Sequence, residues 1–344
     1  MLQRAPSCLP SRLLTKTALR MTLAAACACT SARAADTASV NYPHYPSRPV
    51  RMLVGFTPGG TSDVVARIIS RKLTDAWGQQ FVVDNRAGAA GNIGAEIAAR
   101  ATPDGYTLYN YGISVSVQPA LHKKLPYNNL RDFTLVSSFA MTPNVLTTTP
   151  TIGITTVQEL ITAAKASPGK LKYASNGVGG TPHLTMELFK AAAGIDIVHV
   201  PYKNSAQGFT DVAGGQMQAC FFTMPGLLPF IKSGRMRALA VSSTKRAEQL
   251  PSVPTIIESG LPGTADFDVT VWQGIALPKG TPQAYVANIH SAMMKALATP
   301  ELKHRFFENG VTPTPMTPAE FAQFAIRETA KWQKAVAAAG MKAE

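Results

Sequence analysis

The residues best placed to do chemistry lie in two glycine-rich loops, each between an apolar strand pattern and the start of a helix pattern. The first loop covers residues 57–63 after a strand pattern at 50–56, and the second covers 176–181 after a strand pattern at 171–175. A helix N-terminus offers unpaired backbone N–H groups and a partial positive charge, so both loops suit an anion. On separate lobes they could close on one small carboxylate from opposite sides; the alternative is that the glycines only make turns.

Neither loop completes a nucleotide-binding motif. The first runs from Gly55 to Ser62 but has Thr61 where a P-loop has lysine, so no charge is available for terminal phosphates. The second contains Gly177, Gly179 and Gly180 but lacks the last glycine of the dinucleotide fingerprint. Both patterns therefore predict a cradle for a small anion, with no nucleotide and no other cofactor.

Three residues beside the loops have alternative roles. Asp63 is expected to cap the first helix and to hold its loop in shape without touching the ligand; the alternative is a catalytic base. In the second loop Thr181 fits the N-cap and Pro182 the first helical position. His183 would then be the second helical residue, where it contacts the bound anion or else packs or caps.

Motifs of known catalytic or metal chemistry are absent from the sequence. It lacks a Gly-x-Ser-x-Gly elbow and a His-Glu-x-x-His pair, and after residue 34 it lacks Cys-x-x-Cys. The six histidines are scattered without metal-ligand spacing. The sequence therefore predicts a binding protein rather than an enzyme, with no metal site.

Residues 1–34 have the pattern of a signal peptide. Basic residues precede an apolar run at 21–28, and Ala32 and Ala34 supply a small-residue cleavage site. A lipid anchor at Cys27 is the alternative. Without this segment Cys220 is the one cysteine left, so no internal disulfide can form, and we expect a buried thiol.

Charge favours anionic ligands but not nucleic acid. Removing the five basic residues of the leader lowers the formal charge from +13 to +8, which still attracts anions weakly at long range. The basic residues are dispersed, and no aromatic ladder accompanies them. The sequence predicts an exported receptor for a small anion, with no nucleic-acid partner.

Strand and helix patterns alternate along the chain, which predicts an α/β architecture with mainly parallel sheets. Residues 133–149 form a long β-rich stretch that should cross between two lobes, with an interruption at Pro143. Residues 267–272 look like a return strand. This predicts a discontinuous first lobe at 35–140 and 265–344, and a second lobe at 141–264.

Eight segments spread over the chain resemble the Bug family, the periplasmic solute-binding receptors of tripartite tricarboxylate transporters. They are YPSRPV at 45–50, PGGTSDVVAR at 58–67, DNRAGAAGNIG at 84–94, PDGYT at 103–107, KLPY at 124–127, HVPYK at 199–203, IKSGR at 231–235 and AKW at 330–332. The resemblance implies a type II periplasmic-binding-protein fold with a ligand cleft between two lobes joined by two crossover strands. It also implies that backbone N–H groups, hydroxyls and waters hold the ligand carboxylate.

Carried over position by position, the resemblance predicts the residues that contact the ligand. From the first lobe they are Phe56, Thr57, Pro58, Gly59, Gly60, Thr61, Asp63, and Ser114 and Ser116 of a loop at 114–116. From the second lobe they are Ser175, Gly179, Gly180, Thr181 and His183, with Tyr202, Asn204 and Phe222.

The sequence departs from the family pattern in three places, one of them a pair of residues. Asn204 replaces a usual glycine, Phe222 and Thr223 replace a frequent Asp-Asn pair, and Phe230 replaces a histidine. If Phe222 faces the cleft, it removes a charge and adds an aromatic wall, which disfavours ligands with an ammonium group. The alternative is that Phe222 fills the core.

The sequence and the resemblance together predict a receptor that captures a small organic carboxylate and delivers it to membrane transporter subunits. Two alternatives differ in class. One is a sensing module that presents its bound form to a sensor kinase, and the other is an exported enzyme that acts on a carboxylate.

Overall fold

The computed structural model describes residues 45–203 and 205–338. The predicted signal peptide at 1–34, the alternative anchor at Cys27 and the predicted ligand contact Asn204 lie outside the described residues. Within the described part of the chain, no helix combines the length and the apolar character needed to cross a bilayer.

The first of two sheets has the strand order β2-β1-β3-β9-β4, with a short tenth strand beside β4. Its strands are β1 (Val50–Val54), β2 (Phe81–Asn85), β3 (Thr107–Gly112), β4 (Phe133–Thr148), β9 (Thr270–Pro278) and β10 (Thr312–Pro313). Strands β1, β2 and β3 are parallel, and β9 runs antiparallel to β3 and β4.

The second sheet has the order β6-β5-β7-β4-β8. It contains β5 (Lys172–Ser175), β6 (Val198–Pro201), β7 (Ala219–Thr223) and β8 (Arg237–Val241). Strands β5, β6 and β7 are parallel, and β4 is antiparallel to β7 and β8. Both sheets therefore present the carboxyl ends of three parallel strands, where α/β proteins bind ligands.

Ten α-helices connect and cover the strands in the described part of the chain. They are α1 (Thr61–Trp77), α2 (Asn92–Ala99), α3 (Ile113–Leu121), α4 (Val157–Ala166), α5 (Thr181–Ala193), α6 (Ser205–Ala213), α7 (Met224–Lys232), α8 (Gln283–Ala298), α9 (Pro300–Glu308) and α10 (Pro318–Ala338). Around the first sheet, apolar strand residues such as Met52 pack against Val65 and Ile69 of α1, all fully buried. The predicted α/β, two-lobed periplasmic-binding-protein fold is confirmed.

Strand β4 belongs to both sheets. Its residues 133–143 pair with β9, and residues 144–148 pair with β7 and β8. The predicted interruption at Pro143 is wrong, because the strand runs through it. Pro143 is the last residue of β4 to pair with β9, opposite Thr270, so its missing N–H falls where one sheet gives way to the other. The chain returns near Val269, whose N–H donates to the Ser242 carbonyl.

Two helices replace segments that the sequence did not predict as helical. Residues 114–116, predicted as a loop, lie in the first turn of α3, which begins after Gly112. Helix α7 forms in an apolar stretch that contains Pro225 and Pro229. Pro225 lies in the first helical turn, where its missing N–H removes no helical hydrogen bond, so proline there is compatible with the helix.

Candidate functional site

A cavity of about 700 Å³ lies between the two sheets, at the carboxyl ends of their parallel strands. Eight of the predicted contact residues lie on its wall: Phe56, Thr57, Gly60, Thr61, Ser114, Thr181, Tyr202 and Phe222. The structure thus brings both glycine-rich loops to one cavity, although they are more than 100 residues apart in the sequence.

Eight other predicted residues lie near the cavity but not on its wall: Pro58, Gly59, Asp63, Ser116, Ser175, Gly179, Gly180 and His183. Ser116 is fully buried on α3. Thr181 is the first residue of α5 and Gly180 is its N-cap, so the assignment of Thr181 as N-cap is wrong by one position. His183 is consequently the third helical residue. Several members of this set support the loops instead of facing the cavity.

The sequence analysis did not identify part of the wall. Residues 87–91 line the cavity ahead of α2, as do Asn110 of β3 and Gln273 of β9. The Asn110 amide donates to the Gln273 Oε1 and to the Ser62 carbonyl, both at 3.0 Å, which ties β3, β9 and the start of α1 together. Gly88 and Gly91 are the sequence signal that could have predicted this loop. Each has a positive φ, a conformation that glycine adopts without strain.

Six helices begin at the cavity. Each of α1, α2, α3, α5, α6 and α7 has its N-cap or its first residue on the wall: Thr61, Gly91, Ile113, Thr181, Ser205 and Thr223. The first turn of each helix has N–H groups without an intrahelical partner, and the helix dipoles add partial positive charge. The wall is therefore built to stabilise negative charge with backbone donors from both sheets.

Asp63 supports the first loop from behind. It is 3% exposed, and its carboxylate accepts hydrogen bonds from the Gly59 N–H at 3.0 Å and from the Asn85 amide at 3.0 Å. The Arg67 guanidinium pairs with it at 2.8 Å. Burial alone would raise the pKa of this carboxyl, but the hydrogen bonds from Arg67, Gly59 and Asn85 outweigh burial and lower the pKa. Asp63 is therefore charged, and it fixes the loop as the sequence predicted.

Two stacked imidazoles support the second loop. The His183 and His199 rings lie 4.2 Å apart, and the His183 Nδ1 accepts a hydrogen bond from the Gly179 N–H at 3.2 Å. The His199 Nε2 and the Ser175 hydroxyl share a 2.6 Å hydrogen bond, and that hydroxyl also accepts from the Gly177 N–H. Ser175 and His183 thus determine where the loop backbone lies.

The comparisons with known proteins agree with this geometry. Residues 65–341 match the model of the tripartite tricarboxylate transporter family receptor, TctC. The chain belongs to this receptor family. The expected Bug resemblance is confirmed as well, because the chain is 37% identical to Protein BugT of Bordetella pertussis, over 90% of this chain and 95% of that protein.

Two solved structures show the same fold with a named small molecule. "R. palustris Rpa4515 with adipate" is 34% identical, covers 87% of this receptor and 100% of that chain, and has a TM-score of 0.83. "MatC (Rpa3494) from Rhodopseudomonas palustris with bound malate" is 28% identical, covers 85% of this receptor and 99% of that chain, and has a TM-score of 0.79. The molecules named with these two relatives, adipate and malate, are both dicarboxylates.

The two lobes of the receptor contact each other across the cavity. The Thr61 hydroxyl at the start of α1 hydrogen-bonds the Thr223 hydroxyl at the start of α7. A Cβ at Gly179 would lie 2.9 Å from the Leu121 Cδ1, and Gly179 has a φ of +75°. Glycine is thus favoured at 179 by the backbone conformation, whereas the Leu121 side chain can move to admit a Cβ.

Phe222 has both of the roles that the sequence left open. Its side chain lines the cavity and is only 2% exposed, and its ring packs edge-on against Phe209 with centroids 4.7 Å apart.

Cys220, two residues earlier on β7, is fully buried and touches the Thr147 hydroxyl. Burial raises the pKa of its thiol to about 12, so Cys220 has the character of a core residue.

Lowering the pH from 7 to 5 is expected to reduce the free energy of unfolding through the histidine pair. Burial, and next the neighbouring His183, lower the pKa of His199 to about 4, despite the opposing effect of Glu187. The unfolded chain, with a pKa near 6.5, therefore binds more protons between pH 6.5 and 4, and stability falls across that window. With solvent screening of the partly exposed ring, we expect a loss of about 1 kcal/mol.

Urea unfolding of the wild type and of His199→Gln at pH 7 and pH 5 measures this effect. The variant should lose less stability on acidification than the wild type, because it removes the group that titrates. Equal losses in the two proteins would show that His199 does not carry the dependence.

Proposed function

We propose that this receptor captures a small organic carboxylate in the cavity between its lobes and delivers it to the membrane subunits of a tripartite tricarboxylate-type transporter. The family supports the role, since its members are substrate-binding receptors rather than enzymes. The adipate and malate named with two related structures support the ligand class. The observation that carries the proposal is the convergence of six helix N-termini on one cavity.

In this proposal the ligand carboxylate accepts hydrogen bonds from backbone N–H groups of both lobes. Thr57, Gly60, Thr61 and Ser114 face it from the first lobe and Thr181 from the second, whereas Asp63, Ser175 and His183 hold the loops. Hydrogen bonds to an ionised acceptor are stronger than neutral ones, and closure of the lobes shields them from water. A ligand that touches both lobes stabilises the closed arrangement, which membrane subunits can distinguish from the open one.

The proposal extends to the organisation and location of the chain. We take residues 35–140 and 265–344 as the first lobe and 141–264 as the second, because β4 changes sheets at residues 143–144. With residues 1–34 as a signal peptide, the receptor works in the periplasm. In this role it releases its ligand chemically unchanged and needs no cofactor.

A calorimetric titration tests ligand capture. The purified receptor is first unfolded and refolded to remove bound ligand, and then titrated with mono-, di- and tricarboxylates and with the matching primary amides. We expect micromolar or tighter binding of at least one acid and none of its amide. The ligand recovered after incubation should be unchanged. Absence of binding by every acid, or binding of an amide as tight as that of its acid, would contradict the carboxylate cradle.

Uptake measurements test delivery. Deleting the receptor gene and deleting the transporter membrane-subunit genes should each abolish uptake of the bound acid by the cells. Normal uptake without the receptor, together with a lost transcriptional response to the acid, would instead indicate the sensing role.

A further inference from the structure

One wall of the cavity is aromatic. Tyr202, Phe209 and Phe222 all line the cavity on the second lobe and belong to one apolar cluster of that lobe. Gly208 lies between two of these rings, since a Cβ there would sit 3.6 Å from the Phe222 Cζ and 3.6 Å from the Tyr202 Cδ2. The Tyr202 and Phe222 rings therefore flank the same residue of α6, and the Phe222 ring also packs against Phe209.

Tyr202 presents its ring rather than its hydroxyl to this surface. Its hydroxyl donates a 2.6 Å hydrogen bond to the Asp211 carboxylate, which is not among the cavity-lining residues. Asp211 also accepts from the Gln207 amide at 2.7 Å, so its carboxylate is occupied by two neighbours. The Tyr202 hydroxyl and the Asp211 carboxylate are therefore satisfied by each other and by Gln207.

The described wall contains no acidic side chain. Among the described lining residues Lys203 is the one basic side chain, and it is exposed. An ammonium group entering the cavity would lose its hydration, meet the positive ends of six helices and find no carboxylate. A neutral apolar group would lose nothing and would bury surface against the three rings.

We infer that this cavity selects a carboxylate whose body is apolar and uncharged, an aromatic ring or an aliphatic chain, and rejects α-amino acids. The inference rests on the proposed function for the carboxylate end of the ligand. Thr57, Gly60, Thr61 and Thr181 hold that end, and Tyr202, Phe209 and Phe222 contact the body. Selection follows from burial of the body and from the lack of a carboxylate partner for an ammonium group among the described lining residues.

Three acids that differ by one feature each test the selection. 3-Phenylpropanoate and phenylalanine differ only in the α-ammonium group, and 3-phenylpropanoate and propanoate differ only in the ring. By titration calorimetry we expect phenylalanine to bind at least 100-fold more weakly than 3-phenylpropanoate, and propanoate at least 30-fold more weakly. Equal or tighter binding of phenylalanine would overturn the inference.

Phe222→Ala and Phe230→Ala form a matched pair of variants. Phe230 also packs on Phe209, with ring centroids 6.0 Å apart, but is not among the cavity-lining residues. Phe222→Ala should weaken 3-phenylpropanoate about tenfold and leave propanoate unchanged, whereas Phe230→Ala should change neither. An unchanged ratio of the two affinities in Phe222→Ala would refute the assigned role. If that variant does not fold, Phe222→Leu, which removes the ring but leaves a smaller cavity than alanine does, should lower the same ratio by a smaller factor.

Malate and aspartate separate this inference from the proposed function. If either binds the wild type more tightly than 3-phenylpropanoate, adipate and other apolar-bodied acids, the aromatic wall does not select the ligand, and the receptor role still stands. If no acid in the panel binds, both the receptor proposal and the inference fail.

Discussion

Gly94→Ala is expected to weaken ligand binding about 100-fold and to lower the free energy of unfolding by about 3 kcal/mol. A Cβ at Gly94 would lie 2.6 Å from the Gly55 Cα and 3.2 Å from the Gly55 N, both of them backbone atoms that cannot rotate away. Helix α2 must therefore shift from the strand end at Gly55. Since Gly55 and Gly91 both line the cavity, the shift separates two of the loops that build it.

Urea unfolding and titration with the best carboxylate measure both effects, with Gly60→Ala as the control for stability. Gly60 has an ordinary φ of −77°, and its added Cβ would meet only the Thr57 carbonyl, at 3.4 Å. The control should unfold at nearly the wild-type urea concentration. A Gly94→Ala protein that is as stable as the wild type and binds as tightly would show that this close approach does not set the cavity.

The sequence was sufficient to predict the parts of the site that follow from local chain chemistry. A strand, a glycine-rich loop and a helix start were predicted at residues 50–63 and 171–183, and both are present at the cavity. The role of Asp63 was also predictable, because an acid at the third helical position can reach back and accept an N–H bond from the loop that precedes its helix. Thr181 was misplaced by one residue, an error of the size usual at helix ends.

Other parts of the site depend on contacts that no local pattern contains. Ala89 and Ala90 have φ values of 46° and 51°, a conformation that alanine rarely adopts, and the tertiary structure imposes it next to the cavity. His183 and His199 stack because β6 lies beside β5, which requires knowledge of the sheet order. The start of α3 follows Gly112, a third glycine-preceded helix, but its serine-rich sequence resembles that of a loop.

The cavity is lined partly by loop backbone and partly by side chains, and this difference explains why the family was easier to predict than the ligand. The proposed anion-binding part consists of loop backbone, whose conformation depends on glycines and supporting side chains that leave a strong sequence pattern. The part proposed to contact the body of the ligand consists of side chains such as Phe222 and Phe209. We expect one substitution there to change the preferred ligand without changing the fold, so the sequence pattern of the family does not specify the ligand.

Asp63→Ala is expected to lower the free energy of unfolding by about 2 to 3 kcal/mol and to weaken ligand binding at least 30-fold. The substitution removes the charged acceptor of the part-buried Gly59 N–H and Asn85 amide, and a hydrogen bond to a charged group contributes about 1.5 to 3 kcal/mol. Because the first loop then loses its anchor, the donors at Gly60 and Thr61 lose their fixed positions.

Asp75→Ala on the same helix is the matched control, because Asp75 pairs with Arg71 at the same spacing but in an exposed position. Exposed pairs contribute little, so this variant should lose no more than about 0.5 kcal/mol and should bind normally.

The lowered pKa of Asp63 also predicts how its contribution to stability depends on pH. That contribution is complete above the unfolded pKa, near pH 4, and is lost as the pH falls below it. In urea unfolding the wild type and Asp63→Ala should therefore converge in stability at pH values below 4, and a difference that persists there would mean that the carboxylate charge does not hold the loop.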